Sequence, residues 1–169
     1  MGHQEHKKNA LKKLSIGIIT VSTTRTLAED KSGLWMKKRA IKEGHEVLVH
    51  RVVGDDQQLI ERAAWKIIMD MAPNILLMTG GTGLNPTDVT IEAMRPMFVK
   101  ELTAFSTLFT LLSYEEIDSS AILSRATAGV INETTVFCLP GSINACKLAC
   151  KALIFPEAGH IAAHVNKKL

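Results

Sequence analysis

The hydrophobic positions of this chain fall into short unbroken runs separated by longer stretches of helical period. Ile16–Val21 (IGIITV), Ile75–Thr79 (ILLMT) and Thr134–Leu139 (TTVFCL) are largely apolar or β-branched, the pattern of strands buried on both faces. Glu46–Val53 (EVLVHRVV) predicts another strand. Between them, a helix through Leu34, Met36 and Ile41 stops at Gly44, and a second carries Leu59, Ile60, Ala63, Ala64, Ile67 and Ile68 up to Pro73. Ile91–Phe98 predicts a helix that Pro96 ends or kinks, and another follows through Phe105, Leu108, Phe109 and Leu112. Ala121–Val130 predicts extended pieces, and a last amphipathic helix runs through Ala145, Leu148, Ala152 and Leu153.

This alternation predicts an α/β fold with a doubly wound, mostly parallel sheet flanked by helices. One domain would span residues 14–169, while residues 1–13 (MGHQEHKKNALKK), polar and basic, predict a mobile or loosely packed arm. A length of 169 residues at 46% hydrophobic and 22% charged suits one domain. Net charge is only +3, which speaks against a nucleic-acid partner, and no apolar run approaches the roughly 18 residues of a membrane span. Three cysteines, Cys138, Cys146 and Cys150, give no disulfide framework, and with no signal peptide visible a cytoplasmic protein is expected. Cys146 and Cys150 read as buried small hydrophobes. Glu157, His160 and His164 have the spacing of part of a metal site, but no HExxH accompanies them and Gly159 is expected to interrupt the helix.

In open α/β sheets, ligands bind in loops beyond the carboxyl ends of the strands. Four such loops can be read: Ser22-Thr23-Thr24-Arg25, Gly54-Asp55-Asp56, Gly80 to Asp88, and Leu139 to Asn144. The strongest is TGGTGLNPTDVT, Thr79 to Thr90, where Gly80, Gly81 and Gly83 let the backbone approach a ligand and present N–H groups to an anion. It is neither a Walker A loop nor GxGxxG. Asp88 has two readings, as a cap on the next helix or as a carboxylate sharing a Mg²⁺ with phosphate oxygens. Asp55 with Gln58 resembles a capping box, which would put Asp56 at the first helical position. Ser142 of the Pro140-Gly141-Ser142 turn predicts an N-cap and a second anion site. Arg25 and Arg125 are either phosphate clamps or ordinary surface arginines.

The sequence resembles the MoaB/MogA family of molybdenum-cofactor biosynthesis proteins from roughly Ile16 to Phe155. The resemblance runs through IGIITVS, DKSG (Asp30 to Gly33), VVGDDQQLI, TGGTGLNPTDVT, LSYEEI, ILSRATAGV and LPGS, and the LSYEEI and SRATAG stretches look closer to MoaB. It implies a MogA-like molybdopterin-binding fold and a molybdopterin adenylyltransferase in molybdenum (or tungsten) cofactor biosynthesis. In that reaction the terminal phosphate of molybdopterin attacks the α-phosphorus of ATP and pyrophosphate leaves. The implied catalytic residues, also Mg²⁺ ligands, are Asp55 and Asp88. The implied substrate-binding residues are Ser22, Thr79, Gly80, Gly81, Thr82, Gly83, Pro140, Gly141 and Ser142, the last near the pterin phosphate. The implied partners are molybdopterin and ATP, with Mg²⁺ as cofactor, no tightly bound organic cofactor, and a homo-oligomer, trimer or hexamer.

One departure stands out. Members usually carry a PGFGELFR-like segment where this chain reads TAFSTLFT, Thr103 to Thr110. Loss of both glycines and of one charge of each sign would weaken catalysis if the segment touched substrate, leaving a non-catalytic molybdopterin-binding or delivery protein as the alternative. If the segment only packs, the retained Phe105, Leu108 and Phe109 suffice. A generic flavodoxin-like phosphate-ligand module is a third reading.

Overall fold

The computed structural model describes residues 11–166. Most of the arm expected at residues 1–13 and the last three residues lie outside them. Within them, Leu11 donates its N–H to the Gly159 carbonyl at 3.1 Å, and Lys13 pairs with Glu46 at 3.3 Å.

The chain alternates β1 (Ser15–Val21), α1 (Lys31–Lys42), β2 (Glu46–Val53), α2 (Gln57–Met71) and β3 (Ile75–Thr79). Then come α3 (Thr90–Met94), a 3₁₀ turn at Arg95–Met97, β4 (Lys100–Glu101) and α4 (Thr103–Ile117). A second 3₁₀ turn (Asp118–Leu123), β5 (Thr127–Ile131), β6 (Thr134–Leu139), α5 (Ile143–Leu148), a π-helical stretch (Ala149–Ile154) and α6 (Phe155–Val165) complete it. The six strands form one sheet in the order β2-β1-β3-β6-β5-β4. β2, β1, β3 and β6 are parallel, whereas β5 runs antiparallel to both neighbours.

Side-chain alternation along the central strands divides the core into two layers. Ile16, Ile18, Ile75, Leu77, Phe137 and Leu139 face Met36 of α1, Phe105 and Phe109 of α4 and Cys146 of α5. Ile19, Val21, Leu76, Met78, Val136 and Cys138 face Ile60, Ala64 and Ile67 of α2 with Ile91 and Met94 of α3. Helices therefore cover both faces of the sheet.

Several local expectations change. The helix from Ile91 shortens to α3 and a 3₁₀ turn, because Pro96 lacks the N–H to continue it. The final helix does not stop at Gly159, which lies inside α6. The ladder widens to π before Pro156, whose missing N–H would break an α-helical register there. The unusual segment at Thr103–Thr110 opens α4 and packs: Phe109 is fully buried, and Phe105 meets Phe137 edge-on with ring centres 5.0 Å apart.

Candidate functional site

Strands β1, β3 and β6 end side by side at Val21, Thr79 and Leu139, and the loops that follow them enclose a cavity of about 290 Å³. One wall is Gly80 to Gly83 with Asp88, another Ser22, Arg25 and Asp55, and a third Pro140 and Gly141. Leu123 and Ser124, just after α4, complete the rim, and no residue of Thr103–Thr110 reaches it.

The three loop glycines are required for different reasons. Gly80 has φ +97° and a Cβ there would sit 2.2 Å from the Val21 carbonyl oxygen; Gly81 has φ +61° and its Cβ would meet Thr90 Oγ1 at 2.5 Å. Gly83 is not in that left-handed region. A Cβ on it would instead lie 2.6 Å from Asp88 Oδ2.

The carbonyls of these loops are held by donors behind them. Thr90 donates its Oγ1–H to Gly80 O at 2.8 Å and its N–H to Gly81 O at 2.8 Å, and Arg125 Nε–H donates to Thr82 O at 2.8 Å. Thr79 Oγ1–H donates to Pro140 O at 2.8 Å, and Ser32 Oγ–H to Gly141 O at 2.9 Å. A planar trans peptide points its N–H opposite its C=O. The N–H groups of Gly81, Thr82, Gly83, Gly141 and Ser142 are thereby turned away from these donors, and among the described residues they have no internal acceptor. Such a cluster of outward amides suits an anion.

The two aspartates are not helix caps. Asp55 Oδ2 accepts the Thr23 N–H and Oγ1–H, both at 2.6 Å, whereas the cap of α2 is Asp56, whose Oδ1 accepts the Leu59 N–H at 2.9 Å. The cap thus falls one residue later than expected and no box forms, since Leu59 stands three residues after Asp56, while Thr23 holds Asp55. Asp88 Oδ2 accepts the Asn85 N–H at 3.0 Å, within its own loop, and α3 begins two residues later without a side-chain cap. Each carboxylate has one oxygen fixed in the loop and the other, Oδ1, without an internal hydrogen bond among the described residues. Both line the same cavity.

The remaining candidates separate into lining and supporting roles. Ser22 lines the cavity and its Oγ accepts the Thr24 and Arg25 N–H groups, shaping its loop. Thr79 is fully buried beneath the Pro140 turn, and Ser142 caps α5 by accepting the Ala145 N–H at 3.2 Å. Arg25 lies in the lining with Nη1 3.4 Å from Gly141 O. Arg125 stands outside that cavity, its guanidinium bound to both oxygens of Glu92 at 2.7 and 3.2 Å. That pairing holds the Glu92 carboxyl below its ordinary pKa.

Sequence reasoning gave no role to Ser32, Thr90 or the buried cluster around Asp30. Asp30 is 0% exposed, accepts the Gly33 N–H that caps α1, and takes Thr20 Oγ1–H at 2.5 Å and His50 Nε2 at 2.7 Å. Gly33 leaves room for this, since a Cβ would meet Asp30, His50 and Thr20 together. The DKSG string was the available signal, visible as a string but not as contacts with β2 and the turn after β6.

Elsewhere, His160 Nδ1 meets Glu157 Oε2 at 3.2 Å and His164 Nε2 at its own Nε2 at 3.0 Å. Among the described residues no group of three or more His, Cys, Asp or Glu is arranged to hold a metal. All three cysteines are buried. None of the described helices is long and apolar enough to cross a membrane.

The chain is similar to known proteins in both sequence and fold. Residues 17–160 match a family model described as a probable molybdopterin binding domain. The chain is 45% identical over 168 residues to molybdenum cofactor biosynthesis protein B of Bacillus subtilis, covering 99% of each chain. It is 36% identical to a probable molybdopterin adenylyltransferase of Methanocaldococcus jannaschii, over 96% of this chain and 99% of that one. A crystal structure of a molybdenum cofactor biosynthesis protein B superposes with a TM-score of 0.90 at 40% identity, covering 93% of this chain and 98% of the other.

Proposed function

Since the chain belongs to the MoaB/MogA family of molybdenum-cofactor biosynthesis proteins, we propose that it transfers AMP from ATP to molybdopterin. A terminal phosphate oxygen of molybdopterin attacks the α-phosphorus of ATP, the bond to the β-phosphate bridge breaks, and pyrophosphate leaves. The observation that carries this reading is the pair Asp55 and Asp88. Each lines the amide-rich cavity, is fixed through one oxygen and keeps the other unbonded.

Two anions must meet here, and amides alone would leave much of their repulsion. Asp55 and Asp88 fit a Mg²⁺, which is commonly held by one or two carboxylates plus phosphate oxygens and water. When bound, the ion would neutralise charge developing on the transferred phosphoryl group. The chain's own residues do the rest: the glycine-loop amides hold phosphate oxygens, and Arg25 supplies a positive charge beside Gly141. The altered Thr103–Thr110 segment gives no support to a non-catalytic role, since it buries Phe105 and Phe109 in the core and lines no part of the cavity.

Purified protein with molybdopterin, Mg²⁺ and ATP should yield adenylated pterin and pyrophosphate in equal amounts; absence of both overturns the reading. Asp88→Asn should keep the fold and lower turnover by about a hundredfold. The outer side of α4 and the turn after it expose Leu108, Leu111, Tyr114, Ile117, Ile122 and Leu123, at 46–83%. Large apolar side chains exposed along one helix and the turn after it support self-association. Light scattering should give a homo-oligomer, trimer or hexamer, which Leu111→Asp with Ile122→Asp should dissociate.

A further inference from the structure

The charged groups of the cavity lie beside different loop glycines. A Cβ on Gly81 would lie 3.5 Å from Asp55 Oδ1 and one on Gly83 2.6 Å from Asp88 Oδ2, so both carboxylates flank the glycine loop. A Cβ on Gly141 would meet Gly80 Cα at 3.3 Å, so this turn packs against the start of the glycine loop, and the charged atom beside it is Arg25 Nη1 at 3.9 Å. Metal-bound triphosphate belongs on the carboxylate side. An anion arriving without a metal belongs against Gly141, where the nearest charge is positive.

That second wall is a turn whose two successive carbonyls are each held from behind by a buried hydroxyl. Thr79, 0% exposed at the end of β3, binds Pro140 O; Ser32, 3% exposed in the first turn of α1, binds Gly141 O. Among the described residues, the other hydrogen bonds to these two carbonyls are a 3.4 Å contact from Arg25 and a weak 3.5 Å contact from Cys146 Sγ. A peptide free to rotate would present a carbonyl oxygen, which repels an anion, in place of an N–H. Ser32 is itself fixed because Asp30 anchors the start of α1 to β1 and β2 through Thr20 and His50.

We propose that Ser32 and Thr79 are positioning residues for the pterin substrate: by holding the Gly141 and Pro140 carbonyls inward, they aim the Ser142 and Gly141 amides at its phosphate. They touch no substrate themselves. The proposal rests on the adenylyltransferase reading for the identity of that phosphate.

The test compares Thr79→Val, which keeps the shape and loses the hydroxyl, with Thr79→Ser, which keeps the hydroxyl, and with Ser32→Ala. Molybdopterin and Mg-ATP binding are measured separately by calorimetry, alongside AMP transfer. Thr79→Val and Ser32→Ala should each weaken molybdopterin binding about 3- to 10-fold, the scale of one net hydrogen bond, and leave Mg-ATP binding within about twofold. Thr79→Ser should restore wild-type affinity. Equal weakening of both ligands, no change in either hydroxyl-deleting variant, or failure of Thr79→Ser to rescue overturns the proposal. If Thr79→Val does not fold, Ser32→Ala alone decides it. Wild-type protein that binds molybdopterin in this pattern but transfers no AMP overturns the enzymatic reading and leaves the positioning role standing. Wild-type protein that does not bind molybdopterin overturns both.

Discussion

Replacing Gly83 with alanine should separate turnover from stability. The new methyl carbon would lie 2.6 Å from Asp88 Oδ2, so the carboxylate must retreat by about 0.8 Å to reach an ordinary contact of 3.4 Å. That oxygen accepts the Asn85 N–H at 3.0 Å, and losing the bond costs about 0.5–1.5 kcal/mol. Gly83 does not need a positive φ, so alanine also restricts the unfolded chain, which stabilises by about 0.4–1 kcal/mol. The two nearly cancel, and urea unfolding should move by no more than about 1 kcal/mol. Turnover should fall far more, since displacing a catalytic group by about 1 Å costs on the order of a hundredfold. The assay is pyrophosphate release under saturating molybdopterin and Mg-ATP, beside urea unfolding of the same sample. Wild-type turnover would remove Asp88 from the chemistry. A loss of more than about 3 kcal/mol in stability would mean that backbone, not the carboxylate, fills the space beside Gly83.

Gly80→Ala should behave in the opposite way, because its methyl would strike the Val21 carbonyl oxygen and the residue holds φ +97°. The conformational cost alone is about 1–2 kcal/mol, and a large drop in Tm should accompany the loss of activity. Asp30 gives a pH prediction. Burial alone would raise its pKa, but hydrogen bonds from His50, Thr20 and the Gly33 N–H outweigh that and hold it below the ordinary carboxylate value. Its stabilisation is therefore complete above the ordinary value and is lost as pH falls through the lower folded one, so wild-type stability should fall as pH drops through and below the ordinary carboxylate range. Asp30→Asn should flatten that acid limb; an unchanged slope in denaturation midpoints would refute the assignment. Burial pushes the Cys146 thiol up to about 11 and the Cys138 thiol up to about 12, and Cys150 is raised further. None should react with a thiol reagent at about pH 8 until the protein unfolds, and rapid labelling of the native protein would contradict that burial.

Much of the fold was legible because it depends on local pattern. β1, β2, β3 and β6 were readable from their apolar or β-branched runs, and the helices that cover them from amphipathic spacing. The glycine loop and its aspartates could also be found, since glycines clustered directly after a buried strand mark a place where the backbone turns tightly or meets a ligand. The errors lie where local pattern is ambiguous. A capping residue is decided by one φ/ψ choice, so Asp55 and Asp56 could not be told apart by spacing. Gly159 costs a helix only about 1 kcal/mol, which burial of Ala158 and Ala162 readily offsets. Between a phosphate clamp and an ordinary surface arginine, spacing could not decide for Arg125, whose partners, Glu92 and the Thr82 carbonyl, are 33 and 43 residues away.

By itself the amino-acid sequence determined the layer architecture, the loops that carry chemistry and the family, because each is written in residue types at short spacing. Tertiary structure decided what those residues do. It placed Asp55 and Asp88 on one cavity, turned both away from capping, and brought Thr90, Arg125, Thr79 and Ser32 behind the loop carbonyls. The physical reason is that an anion site made of backbone amides depends on the direction of peptide planes. Those directions are set largely by donors distant in the chain, 109 residues in the case of Ser32 and Gly141, and no local pattern encodes them.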